Sequence, residues 1–276
     1  MSHSPLKASP LGQRSRYVDQ YDKSQLFPMP RQPTRELIGA HFPLPFKGYD
    51  LWTAYEVSWL NLKGKPIVAV LDVVIPCEST HLIESKSFKL YLNSFNNTRF
   101  VSEAVVEDII ATDLSAVSGI PVQVTLRPAS ACTLDSIQSM AGFCLDELDV
   151  SCNVYNVDPG LLRVEETRVT QHSVYSHLLK SNCLVTGQPD WGSIQFIYSG
   201  HLIDPTSLLA YIVSFRNHNE FHEQCVERIF MDIMHHCKPN ELTVYARYTR
   251  RGGLDINPIR STKAISAPKN SRLFRQ

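Results

Sequence analysis

Phe88, Tyr91, Leu92 and Phe95 recur at i, i+3, i+4 and i+7, the spacing that places apolar side chains on one face of a helix. Leu208, Tyr211, Ile212 and Phe215 repeat that spacing 120 positions later. The two segments read HLIESKSFKLYLNSF, from His81 to Phe95, and HLIDPTSLLAYIVSF, from His201 to Phe215. Asn97 then matches Asn217, and Val106, Glu107 and Ile109 match Val226, Glu227 and Ile229 at the same offset. Two long copies at a fixed offset point to a duplicated unit rather than a solenoid of short repeats. Asp204-Pro205 reads as an N-cap followed by proline at the first helical position, so by register the first helix starts at Glu84-Ser85.

A second helical pattern follows in each copy. Ser102 is placed to cap EAVVEDIIATDL, and the later copy runs through FHEQCVERIFMDIM. Strand-like segments flank the helices: YDLWTAYEVSWL, PIVAVLDVVI and GIPVQVTLRP in the first half, RVEETRVTQHSVYSHLL, SIQFIYSG and ELTVYARYT in the second. The order β–β–α–α–β in each half predicts an α+β protein of tandem halves, each an antiparallel sheet with two helices on one face. Residues 1–45 are rich in Pro, Arg and Gln, and FPMPRQP suits neither a regular helix nor a central strand, so an extended surface arm is expected. Modules then follow over 46–145 and 146–276, with the acidic stretch CLDELDVSCNVYNVDPG at their join.

Composition narrows the class. A hydrophobic content of 43% supports a real core, and 27 basic against 27 acidic residues give no reason to expect a nucleic-acid or membrane partner. No apolar run reaches the ~18 residues of a spanning helix, and the polar start MSHSPLKASPLGQRSR has no signal-peptide core. Seven scattered cysteines suit free thiols in a reducing cytoplasm.

Chemistry is expected where the copies differ. Glu84-Ser85-Lys86 at one helix start becomes Asp204-Pro205-Thr206 in the other. Free N–H groups beside a serine and a lysine suit a phosphate, although the same residues would also simply cap and solubilise a helix. The second half alone has SNCLVTGQPDWG, where a polar loop carries Cys183 seven residues before Asp190. A thiol near a carboxylate is a candidate nucleophile, and a buried structural cysteine is the plainer alternative. Phe221-His222-Glu223 could stack on, protonate and hydrogen-bond a flat heterocycle. His222, Cys225, His235, His236 and Cys237 carry no zinc-ligand spacing, so no metal is expected. Arg250-Arg251-Gly252-Gly253 reads as a tight turn or a phosphate grip, and no G-x-G-x-x-G follows a strand.

ESKSFKLY, the Cys-x₆-Asp loop, the Phe-His-Glu helix start and RRGGLDINP, with PLG, YVDQY, FPMPR and PFKGYD before them, cover nearly the whole chain. In this combination the chain resembles the NADPH-dependent 7-cyano-7-deazaguanine reductases in their long, two-module form, with no departure at the motif positions. The resemblance implies the tunnelling fold, shared with GTP cyclohydrolase I and pterin-pathway enzymes. It implies reduction of the nitrile of 7-cyano-7-deazaguanine to 7-aminomethyl-7-deazaguanine, a queuosine precursor, with two NADPH and a covalent cysteine thioimide. By motif, Cys183 would be the nucleophile, Asp190 the proton carrier and His222 an assisting donor. Ile83, Glu84, Ser85, Phe221, His222 and Glu223 would bind the substrate, and Ser85, Lys86, Arg251 and Gly252 would hold NADPH. A homodimer is expected. From the residues alone, three readings stay open: a zinc-dependent cyclohydrolase acting on a purine nucleotide, a cysteine hydrolase or amidase, and a non-catalytic purine-binding module.

Overall fold

The computed structural model describes residues 17–134 and 137–276. Eight strands form a single sheet, in which β5 (Gln123–Pro128), β3 (Pro66–Pro76) and β2 (Lys47–Leu60) come from the first half. They are followed by β10 (Leu254–Ser261), β9 (Glu241–Tyr248), β8 (Pro189–Ile203), β7 (Val164–Asn182) and β6 (Phe143–Cys144). Neighbours are antiparallel except β6 and β7. Two separate sheets were expected; β10 merges them. It pairs with β2 along its full length and with β9 over Ile259–Ser261.

Register places one continuous face against the helices. Val73 lies opposite Trp52, Trp52 opposite Ile256, Arg260 opposite Val244, and Val244 opposite Phe196. Side chains alternate along a strand, so these groups share one side of the sheet. Helices α2 (Ser85–Asn93) and α3 (Glu103–Ser118) cover the first half of that face, and α4 (Pro205–Ser214) and α5 (His222–His236) cover the second. Trp52 meets Phe88 edge to face at 5.6 Å in one core, while Phe196, Tyr211 and Ile229 belong to the other. On the opposite face, the C-terminal Gln276 donates through Nε2 to Asn257 Oδ1 at 2.8 Å and to the Tyr248 carbonyl at 2.9 Å.

The duplication extends to polar contacts. The Tyr91 hydroxyl donates to Asp113 on α3, and the Tyr211 hydroxyl donates to Asp232 on α5, both at 2.7 Å. Ser102 caps α3 through the Val105 amide, and α3 ends at Gly119, whose φ of 76° suits a residue without Cβ.

The arm departs from expectation. Residues 1–16 lie outside the described residues, including the PLG motif. Beyond them, β1 (Pro28–Pro30) pairs with β4 (His81–Ile83), and a short helix α1 (Gln32–Leu37) follows. Arg31 and Arg35 are buried, not laid on the surface. Together with Arg260 they enclose Asp50 and Glu227: Arg260 Nη2 is 2.8 Å from both carboxylates, and Arg35 Nη2 is 2.7 Å from Glu227. Arg31 reaches Asp50 as well. Buried charges persist only when paired, and this cluster ties the arm, β2, β10 and α5 together.

Candidate active site

Strands β7 and β8 form a hairpin whose turn runs from 183 to 188. The Cys183 amide donates to the Gln188 carbonyl at 2.9 Å, and the Gly187 amide donates to the Cys183 carbonyl at 3.0 Å. Gly187 takes φ +64°, a left-handed geometry that glycine adopts without strain. Cys183 is thereby fixed at the mouth of the hairpin. Asp190 was expected in the loop but is the second residue of β8, paired with Ser181 across the ladder. A strand holds its carboxylate more firmly than a loop would.

Asp190 is 3% exposed and has two neighbours of possible positive charge. Arg251, in the turn between β9 and β10, donates to Oδ1, and His222 Nε2 lies 3.5 Å from Oδ2. Burial pushes the Asp190 carboxyl up, but hydrogen bonding and charge from His222, then from Arg251, outweigh it and leave it below its ordinary value. Arg251 also donates through Nη2 to Gln188 Oε1 at 2.7 Å.

Phe221 is the N-cap of α5, and His222 and Glu223 open the helix. The Phe221 amide donates to Gln224 Oε1 at 3.3 Å, and Gln224 donates in turn to Thr34 Oγ1 at 2.9 Å, so the arm fixes this helix start. His222 Nδ1 is buried with no hydrogen-bond partner. Glu223 is buried too, and its carboxyl is pushed up to about 7, first by burial and then by the charge of Asp50. From the other half, Glu84 N-caps α2, accepting from the Lys86 amide at 2.7 Å and the Ser87 amide at 2.8 Å. Burial raises the Glu84 carboxyl despite those bonds. Asp204 makes the equivalent cap on α4, so capping is common to both copies, while 1% exposure is particular to Glu84.

These pieces meet in one cleft of about 590 Å³. Ile83, Glu84, Ser85, Lys86, Cys183, Asp190, Phe221, His222, Glu223, Arg251 and Gly252 all line it, so every residue to which the resemblance gives a role reaches the same space, whereas Gly253, Cys225, His235, His236 and Cys237 do not line it. Of the cysteines described, Cys183 alone lines the cleft; burial pushes Cys77, Cys225 and Cys237 to about 12 and keeps them as thiols. Two groups, Lys89 and Tyr248, were missed. Lys89 lies one turn along α2 from Lys86, a legible i, i+3 pairing, and it lines the cleft beside Gly252. A Cβ on Gly252 would come within 3.1 Å of the Lys89 side chain. Arg250, named in the sequence with Arg251 as a turn or phosphate grip, lines the cleft too, with its guanidinium 4.2 Å from the Tyr55 ring centroid. Tyr248 stacks on His222, a contact that no spacing announces. Among the described residues, no three His, Cys, Asp or Glu side chains gather as a metal-binding group would.

Residues 17–126 match the family model described as nitrile reductase, 7-cyano-7-deazaguanine-reductase N-term, and residues 189–267 match that described as QueF-like protein. The NADPH-dependent 7-cyano-7-deazaguanine reductase of Dechloromonas aromatica is 56% identical over 273 residues, covering 99% of this chain and 96% of that one. That of Ralstonia nicotianae is 54% identical over 279 residues, covering all of both. The chain belongs to the NADPH-dependent 7-cyano-7-deazaguanine reductase family. As in a full-length, two-domain reductase of that family, both family models are present in one chain, and the cleft takes residues from the part matched by each.

Proposed function

We infer that this chain reduces 7-cyano-7-deazaguanine to 7-aminomethyl-7-deazaguanine with NADPH, a step of queuosine biosynthesis. The observation that carries the reading is the convergence of Cys183, Asp190 and His222 with two buried carboxylates, Glu84 and Glu223, in one cleft. A guanine-like edge offers N–H donors, and buried carboxylates are matched acceptors. Phe221 supplies a flat surface for the ring, and the Ile83 and Ser85 backbones border it.

Asp190 takes the Cys183 proton as sulfur adds to the nitrile carbon, and that proton passes to nitrogen. The S–H bond is thus added across C≡N to give a thioimide. A protonated C=N accepts hydride far better than the bare nitrile. NADPH supplies the hydride when bound. After one reduction the C–S bond breaks, returning the Cys183 thiolate and leaving an imine; a second reduction gives the amine. Asp190 and His222 deliver the protons, and the sum is two hydrides and two protons per nitrile. Lys86, Lys89, Arg250 and Arg251 fit the cofactor's phosphates in charge, and the missing Cβ of Gly252 leaves room for the Lys89 side chain, whose ammonium pairs with Glu56 at 3.2 Å.

The finer architecture in this reading is a tandem tunnelling fold over 46–145 and 146–276, in a cytoplasmic homodimer. Absorbance of NADPH, followed with and without 7-cyano-7-deazaguanine, tests the function. Two NADPH oxidised per nitrile is the expected result, and oxidation indifferent to the nitrile would overturn it.

A further inference from the structure

Arg251 was assigned by motif to the cofactor, yet the geometry commits it elsewhere. Its guanidinium forks, one arm to Asp190 Oδ1 and the other to Gln188 Oε1 at 2.7 Å. Gln188 in turn accepts the Cys183 amide at 2.9 Å through its backbone carbonyl. One side chain therefore ties the acid–base residue to the turn that holds the nucleophile. Its side chain is 31% exposed toward the cleft, while Asp190 is 3% exposed.

We propose that Arg251 acts before the cofactor does, as a positioning residue that fixes the Asp190 carboxylate for proton removal from Cys183. This rests on the thioimide reading above. The charged and titratable groups around Asp190 leave few other candidates. His222, from α5, faces Oδ2, but its Nε2 stands 3.5 Å away. Lys180, from β7, feels the charge of Asp190, but its ammonium is spent on Asn182 Oδ1 at 2.6 Å and the Arg216 carbonyl at 2.5 Å. Tyr248 and Cys225 behind it carry no positive charge, and burial keeps both protonated. Arg251 is thus the permanent cation on Asp190. A cofactor phosphate competing for the guanidinium would loosen that hold and raise the proton affinity of Asp190. That is the direction needed once Asp190 must give a proton instead of taking one.

The test is thioimide formation without NADPH, where a purely cofactor-binding arginine has no part. Intact-mass time courses over about pH 4.5–8 are compared for wild type, Arg251→Gln and Arg251→Lys. Loss of a neighbouring arginine raises a carboxyl by about one unit or more. The acid limb of Arg251→Gln is expected to move up by that amount, with its rate near the acid end about ten-fold below wild type and its alkaline plateau kept. Arg251→Lys, which keeps a cation in the same turn, should recover most of the limb. An Arg251→Gln profile that overlays the wild type, or that falls by one factor at every pH, would overturn the proposal even if KM for NADPH rises. Absence of any adduct in the wild type would instead overturn the thioimide reading beneath it.

Discussion

The imidazole of His222 lies flat on the ring of Tyr248, with centroids 3.8 Å apart and planes 4° apart. Gly192 closes the arrangement from β8, since a Cβ there would stand 3.2 Å from Tyr248 Cδ1. Tyr248 pairs with Gly192 across the ladder, so sheet register delivers the stacking surface to the first residue of α5. The ring plane sets the direction of Nε2, which faces Asp190.

Tyr248→Phe should keep turnover within about a factor of two, because the stacked face remains. Tyr248→Leu should lower kcat by about 10²-fold with little change in KM for NADPH, since misplacing a proton donor by an ångström has that effect. Steady-state kinetics of both variants make the check. Equal losses in the two would show that the stack does not orient His222.

Asp190→Asn should bind the nitrile but slow adduct formation and turnover by about 10²–10⁴-fold. Rapid-quench mass analysis separates binding from addition. A variant with wild-type addition would remove Asp190 from proton transfer.

The nitrile's affinity should depend on pH through Glu223. Its carboxyl is raised to about 7, by burial first and by Asp50 second, so the folded protein keeps that proton up to near neutrality. Accepting N–H donors requires the ionised form, so affinity should rise between about pH 6 and 8 and binding near pH 6.5 should release a proton. Calorimetry on Cys183→Ala in two buffers of different ionisation enthalpy measures it. Glu223→Gln should abolish the proton release, and Glu84→Leu should weaken binding by about 1.5–3 kcal/mol. No proton release in the parent would contradict the role of Glu223.

The repeated helix starts, the capping residues and the Cys183–Asp190 segment were legible because local physics writes them: apolar spacing, short capping side chains, and glycine in turns. Strand β10 was not. Leu254–Ser261 contains Asp255, Asn257, Pro258 and Arg260, which break the apolar pattern of a strand, and yet the strand is buried throughout. Its polar groups find distant partners: Tyr55 for Asp255, the Tyr248 amide for Asn257, Asp50 and Glu227 for Arg260. Pro258 stands one residue before pairing with β9 begins at Ile259. The buried role of the arm was hidden for the same reason, since Arg31 and Arg35 look like surface residues until Glu227 and Asp50 are placed beside them.

That cluster makes a stability prediction. Burial raises the Glu227 carboxyl, but Arg260, Arg35 and Arg31 outweigh it and hold it at about 2 against an ordinary 4.5. A lowered carboxyl stabilises the fold above its unfolded value and loses that contribution as pH falls toward the folded one. Denaturant unfolding should therefore show on the order of 3 kcal/mol lost between about pH 4.5 and 2 through Glu227. Glu227→Gln should cost about 3–5 kcal/mol at pH 7 and flatten the acid dependence. A variant as stable as the parent would contradict the pairing.

The central claim is that a thiol from one half and carboxylates from both halves act on a single nitrile. Glu84 and Cys183 are 99 positions apart in the chain and line the same cleft. Intact-mass analysis of the protein mixed with 7-cyano-7-deazaguanine, without NADPH, tests this most directly. Wild type should gain the mass of one substrate molecule, with the label mapped to Cys183. Cys183→Ala should gain none, and Glu84→Leu should need a higher nitrile concentration for the same occupancy. A full adduct on Cys183→Ala, or a Glu84→Leu occupancy curve identical to wild type, would contradict the account.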